Sequence, residues 1–183
     1  RYRQLIKECN ETGMTFGIPA FIDSRVQECG TEIELVKIEK QYTDGKMDVR
    51  TKGVGTFIIE EFFSRAPNKL YSGATIKRVT NNHDGDIVIS QKIITHIEAL
   101  YNVMNINRTV PDIATFSTYD VAHHVGFNLN QEYDLLKIPN EQDRQMYMLQ
   151  HLEQLVPMVQ EMENLRKRIQ MNGHFKDIIP PKV

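Results

Sequence analysis

The sequence has no tryptophan, only two cysteines and almost no net charge, with 22 Lys and Arg against 24 Asp and Glu in 183 residues. Each shortage excludes something. Cys9 and Cys29 alone cannot staple a disulfide scaffold, and they lack C-x-x-C spacing, so no zinc ribbon is indicated. A reducing, cytoplasmic setting is expected, with one Cys9–Cys29 disulfide left open. The near-neutral balance gives no whole-surface attraction to nucleic acid or anionic membrane. No window approaches the roughly 18 to 20 consecutive apolar residues that cross a bilayer. No basic-then-apolar export signal opens the given sequence, although cleavage would remove one.

The marks of several enzyme classes are also missing. A phosphate cradle needs Gly, four residues, Gly, Lys and then Ser or Thr. The one Gly-Lys pair, Gly45-Lys46, is followed by Met47 in an expected hairpin. There is no dinucleotide fingerprint, no G-x-S-x-G elbow and no H-E-x-x-H pair. The acidic stretch "NNHDGD" (81–86) fails the EF-hand spacing, which would start at Thr80 and end at Gln91. His123 and His124 are adjacent, and neighbours on a helix point about 100° apart, so they do not readily grip one ion. Asp120 with His124 would be a better chelating pair, but it supplies two ligands where a catalytic zinc takes three. No spacing locates His96, His151 or His174 as the third. One imidazole is therefore expected to bond a helix end or another polar group while the other packs or meets solvent. No catalytic residue, metal or cofactor is assigned.

What is present falls into two halves with different periods. "RYRQLIKECNETG" reads as a short helix stopped near Gly13. Strands follow in "MTFGIPAFI", "GTEIELVKIEK", "MDVRTKG", "GTFIIEEFF" and "LYSGATIKRV". In the second of these, Ile33 and Leu35 occupy one parity and Val36 and Ile38 the other, which calls for a β-bulge. "TDGK" (43–46) is a hairpin signal. After the 81–86 loop the period becomes helical, with Ile89, Ile93, Ile97 and Leu100 on one stripe. Ser117 is expected to cap the next helix, with Asp120 in its first turn and Gly126 at its stop. A further helix, capped by Asn128 or Asn130, precedes a long one capped by Asn140. That last helix carries Leu152, Leu155, Val159, Met162, Leu165 and Ile169 as one apolar stripe, with a kink or break at Pro157. In "NGHFK", Gly173 suits a helix end, Phe175 a fold-back contact and His174 the C-terminal dipole. The expected class is α+β, a small curved sheet or partial barrel over residues 1–80, a linker at 81–87 and a helical bundle over 88–183.

The order of these pieces resembles the substrate-binding N-terminal domain of Lon proteases. The matching stretches are "RYRQLIKEC" leading to "FGIP", "GTEIELVKIEKQYTDGKMDVRTKGVGTF" and "YSGATIKRV". Within them Arg50, Gly53 and Phe57 follow the family's Arg-x-x-Gly-x-x-x-Phe continuation. The helical half resembles most closely the small stand-alone bacterial members, in "AHHVGFNLNQEYDLL", "DRQMYMLQHLEQLVP" and "NGHFK". Each motif is weak alone; their shared order over nearly the whole chain is fairly specific. The resemblance implies a PUA-like β domain beside a helical bundle. In full Lon proteases that module engages unfolded or tagged chains and helps assemble the ring, while the ATPase and Ser-Lys peptidase lie in later domains. Family members usually lead into Arg-Tyr-Arg with an apolar strand, whereas this sequence starts at Arg1. A truncated or omitted strand, leaving an open sheet edge, is the expectation.

A non-catalytic module that binds polypeptide segments or a partner protein is therefore the leading reading, with self-association also open. Phe16, Phe57, Phe62, Phe63 and Tyr71 are the candidate peptide-binding residues, although strand alternation makes most of them core by default. An RNA-binding PUA-like protein is the alternative. Its basic stripe would be Lys37, Lys40, Lys46, Arg50 and Lys52, but interleaved Glu32, Glu34, Glu39 and Asp48 favour cross-strand pairing instead. A metal-dependent hydrolase built on the histidines ranks last.

Overall fold

The computed structural model describes residues 1–174, without the side chains of 172–174. The elements, in chain order, are α1 (Tyr2–Thr12), β1 (Phe16–Ile22), β2 (Arg25–Gln41), β3 (Met47–Phe63), β4 (Gly73–Val79), α2 (Ile87–Met104), α3 (Thr118–Val121), α4 (Leu129–Lys137) and α5 (Glu141–His174). The class is α+β, as expected: an antiparallel sheet of order β1-β2-β3-β4, followed by helices. The chain divides into two compact units. One is residues 1–82 with 128–139; the other is 83–127 with the stretch from 140 onward. This differs from contiguous domains at 1–80 and 88–183, because α4 belongs with the sheet. The Cys29 N–H donates to the Tyr133 hydroxyl of α4 at 3.3 Å, and Leu135 of α4 is buried.

In the first unit, the Asp-Gly signal forms the β2–β3 turn. Gly45 takes φ 81°, and Asp44 Oδ1 accepts from Lys46 N–H at 3.0 Å. Arg3 of α1 donates to the Asp44 carbonyl, tying the helix to this turn. The anticipated bulge is present: pairing shifts between Leu35 and Lys37, leaving Val36 outside the register and exposed. The two strands read as "MDVRTKG" and "GTFIIEEFF" are one strand, β3. Gly53 pairs with Ile33 and Gly55 with Glu32, so Val54 bulges between them and the strand bends without ending. Phe57 is buried, with its ring over Gly17 and Gly30. A Cβ on Gly30 would come within 2.6 Å of that ring and 2.7 Å of the Ile18 carbonyl. α1 stops at Gly13, whose φ is 69° and whose N–H returns to the Cys9 carbonyl.

The second unit is organised by caps and one buried ion pair. Asp86 accepts from Val88 and Ile89 N–H at the start of α2, and Asp84 accepts from Glu141 N–H at the start of α5. The acidic residues of the 81–86 loop thus serve helix ends. Ile93, Ile97 and Leu100 form the buried stripe of α2, as their spacing predicts. Ser117 sits at the N-cap of α3 but makes no cap bond with its side chain. Glu141 does that work from α5: its carboxylate accepts from Thr118 N–H at 2.7 Å and Thr118 Oγ1 at 3.0 Å. The same carboxylate accepts from Arg144 Nη2 at 2.7 Å and Nε at 2.9 Å, and the guanidinium lies 4.4 Å from the Tyr119 ring centroid. Gln145 adds a second link, donating to Ser90 Oγ and accepting from Asp86 N–H, both at 2.8 Å.

Gly126 ends the α3 region at φ 76°, and Asn128 caps α4 in a reciprocal capping box with Gln131. α5 runs through Pro157 without a break, so of the expected kink or break the break does not occur. Pro157 lies on the exposed side, where water can satisfy the carbonyl that loses its N–H partner. The apolar stripe of α5 is buried at Leu152 and half-buried at Leu155 and Val159, but Met162, Leu165 and Ile169 are exposed. α5 continues past Gly173 to His174, one residue beyond the expected stop; Phe175 lies outside the described residues.

Arg144 is 1% exposed, so its loss strands a buried carboxylate. Arg144→Met is expected to lower stability by about 3–5 kcal/mol in urea unfolding. A loss under about 1 kcal/mol would show that the pair does not organise this unit.

Candidate functional site

Two of the three hairpins of the sheet, β1–β2 and β3–β4, turn at the same end of it. β1 and β2 meet there in a two-residue turn, Asp23-Ser24, with φ 51° and 62°. Positive φ at both positions is what a type I′ hairpin turn requires. β3 finishes and β4 starts at the same end, where Phe62 pairs with Ala74 and Phe63 with Gly73. The β2–β3 register runs only as far as Cys29–Ile58. Beyond it the two hairpins continue separately.

Large apolar side chains are exposed at this end. Phe21 is 63% exposed and its cross-strand partner Val26 46%; on the other hairpin Phe62 is 50% and Phe63 38% exposed. β1 itself, "FGIPAFI", carries no charge, and Ile18 on it is also exposed. β1 and β4 are the outer strands of the sheet, so each has one long edge without a strand partner among the described residues.

The five expected peptide-binding residues therefore separate. Phe62 and Phe63 stand exposed at the hairpin end. Phe57 packs in the core under β1 and β2, because strand alternation turns it inward over two glycines. Phe16 is half-buried opposite Ile33 at the far end of β1. Tyr71 is half-buried in the β3–β4 connection, where its hydroxyl donates to Glu8 of α1 at 2.6 Å. Phe21, Val26 and Ile18 were not singled out from sequence. The available signal was the uncharged run "FGIPAFI", which reads equally well as a buried strand until the sheet order shows it at an edge.

Two charged clusters brace this unit. Lys69 donates to Glu8 at 2.7 Å, and Gln4 accepts from Leu70 N–H at 2.9 Å, so α1 grips the β3–β4 connection. Lys69, then Tyr71, hold the Glu8 carboxyl below its usual range; Glu8 raises Lys69 in return, and burial followed by Glu8 raises Tyr71. Across the strands, Arg78 donates to both oxygens of Glu32 at 2.8 and 2.9 Å, and Thr15 donates at 2.6 Å. These bonds, Arg78 first, pull the Glu32 carboxyl down to about 2. Cys9 and Cys29 are buried free thiols, and burial raises both above the ordinary thiol range, away from reactive thiolate character.

Three of the five residues of the basic stripe pair with carboxylates. Glu39 bonds both Lys37 at 2.8 Å and Arg50 at 2.7 Å, Lys46 pairs with Asp44 at 3.0 Å, and Lys40 lies over the Tyr42 ring. His123 and His124 belong to the second unit, in a 3-10 turn after α3, where both are exposed and border a cavity. His151 bonds the Val125 carbonyl at 2.9 Å, and its ring lies tilted against Phe127 with centroids 4.4 Å apart. Among the described residues no three His, Cys, Asp or Glu side chains group to hold a metal ion, and no helix is long and apolar enough to cross a membrane.

Comparison with solved structures places this architecture. The crystal structure of a Lon N-terminal domain protein from Xanthomonas campestris matches with a TM-score of 0.59 at 17% identity, over 81% of this chain and 82% of that one. The N-terminal domain of Mycobacterium avium complex Lon protease matches with a TM-score of 0.51 at 12% identity, over 76% and 77%. No protein-family model and no curated protein matches the chain. The chain carries the fold of the Lon N-terminal domain, the fold implied by its sequence motifs.

The Glu32 cluster makes a pH prediction. Its folded-state pKa lies below the ordinary 4.5, so its stabilisation is fully present above about pH 4.5 and is lost as pH falls towards about 2. Arg78 is 70% exposed on its side chain, which weakens the pair by screening. Glu32→Gln is therefore expected to cost about 1 kcal/mol at neutral pH. The gap between the two proteins should close as denaturation is measured from pH 5 down to about pH 2. A gap unchanged across that range would remove Glu32 from the account.

Proposed function

We propose that this protein is a non-catalytic module that binds extended, apolar polypeptide segments at the hairpin end of its sheet. The observation that carries the reading is the exposure of Phe21, Val26, Phe62 and Phe63 where the two hairpins part. Large apolar groups exposed at one end of a sheet are characteristic of interaction surfaces, and outer strands offer backbone donors and acceptors to an added chain. A client segment would place alternate apolar side chains against these groups and its backbone along an outer strand. The fold shared with Lon N-terminal domains supports a module that engages other chains, as does the sequence resemblance. No bond-breaking step is assigned to any residue. The pairing of Lys37, Lys46 and Arg50 with carboxylates weakens the case for a basic stripe that favours RNA.

The test is titration of the protein with a reduced, carboxymethylated and permanently unfolded polypeptide, followed by fluorescence anisotropy. Saturable binding is expected without ATP. The double substitution Phe21→Ser and Phe62→Ser should weaken it about tenfold, and both positions are exposed enough for the fold to survive. Absence of saturable binding, or equal binding by the folded double variant, contradicts the proposal.

A further inference from the structure

The second unit contains a cavity of about 410 Å³, within the size range of small-molecule sites. Its shape follows from how α2 ends. Asn105 adopts φ 53°, and the N–H groups of Ile106 and Asn105 return to the carbonyls of Tyr101 and Asn102. That reversal brings Ile106 and Arg108 back beside the helix they have just left. α2 supplies Leu100 and Met104 to one wall, and α5 supplies Leu155 and Val159 to another. The 3-10 turn carrying His123 and His124 closes a third side, held by His151 on the Val125 carbonyl.

The lining chemistry is lopsided. Apart from Tyr101 and Gly126, the wall residues are aliphatic or thioether side chains, and the remaining three are basic: Arg108, His123 and His124. Among the described residues no acidic side chain lines the cavity, and no Ser, Thr, Asn or Gln side chain does either. Arg108 is exposed and has no carboxylate partner among the described residues. A guanidinium beside two imidazoles at an apolar hollow complements a single anionic group attached to an apolar body. A peptide backbone would also need amide partners, which these side chains do not supply.

We infer that this cavity binds a small monocarboxylate with an apolar tail, its carboxylate on Arg108 and the histidine turn and its tail between α2 and α5. The site lies in the second unit and is independent of the polypeptide reading, which concerns the sheet.

The experiment is calorimetric titration of the full chain with octanoate, with octanol as the same tail without charge, and with a short peptide ending in a free leucine. Octanoate is expected to bind at one saturable site, at least tenfold tighter than octanol. Arg108→Gln should weaken octanoate about tenfold and leave octanol unchanged. Met104→Glu, at an exposed wall position, should weaken octanoate by a similar factor through repulsion of the carboxylate. Thermal unfolding verifies that each variant is folded. Non-saturable octanoate binding, equal affinity for octanol, or indifference to both substitutions overturns the inference. Tighter binding of the leucine peptide than of octanoate also overturns it, by making the ligand a chain terminus.

Discussion

Proline at position 19 has no N–H to give to a strand neighbour, and the form of the first unit turns on that. The β1–β2 register shifts between Pro19 and Phe21, so a stretch of β2 ending at Cys29 loses its regular partner. The Cys29 N–H is instead satisfied by Tyr133 of α4. A buried donor left without a partner would be costly, so α4 returns across more than half the chain to the sheet. The same irregularity lets the β1–β2 hairpin continue past the point where the β2–β3 register stops.

The second unit solves a different problem, that of helix ends. Four acidic or amide side chains, Asp84, Asp86, Glu141 and Gln145, meet N–H groups at the starts of α2, α3 and α5. Glu141 serves α3 while paired with Arg144, so one carboxylate is fully used inside the unit. A buried ion pair seldom adds much net stability, but breaking one is expensive, and here it ties α5 to α3, while Gln145 ties α5 to α2. The face of α5 beyond Val159 takes no part in this and stays exposed.

Local features were legible in the sequence wherever the cause was local. The Asp-Gly turn, the Gly13 stop, the bulge near Val36, the Asn128 cap and the α2 stripe all follow from neighbouring residues. Those that depend on distant partners were not. Ser117 has the right chemistry for a cap, but the Thr118 N–H goes to Glu141, 23 residues further on. Pro157 would break a buried helix; on a solvent face it is tolerated. The Asp23-Ser24 turn escaped notice because it uses positive φ without glycine. Phe57 and Phe62 look alike in sequence, yet one lies over two glycines in the core and the other stands in solvent. What separates them is distant: Gly17 and Gly30 lie against the Phe57 ring, while β2 no longer pairs with β3 beyond Ile58.

The account places client binding at the hairpin end of the sheet, and amide hydrogen exchange locates such a footprint most directly. With saturating unfolded polypeptide, slowed exchange is predicted in β1, at the β3 end from Ile58 to Phe63, and at the start of β4, while α2 and α5 stay unchanged. Protection confined to the helical unit, or no protection anywhere under conditions of demonstrated binding, would contradict it.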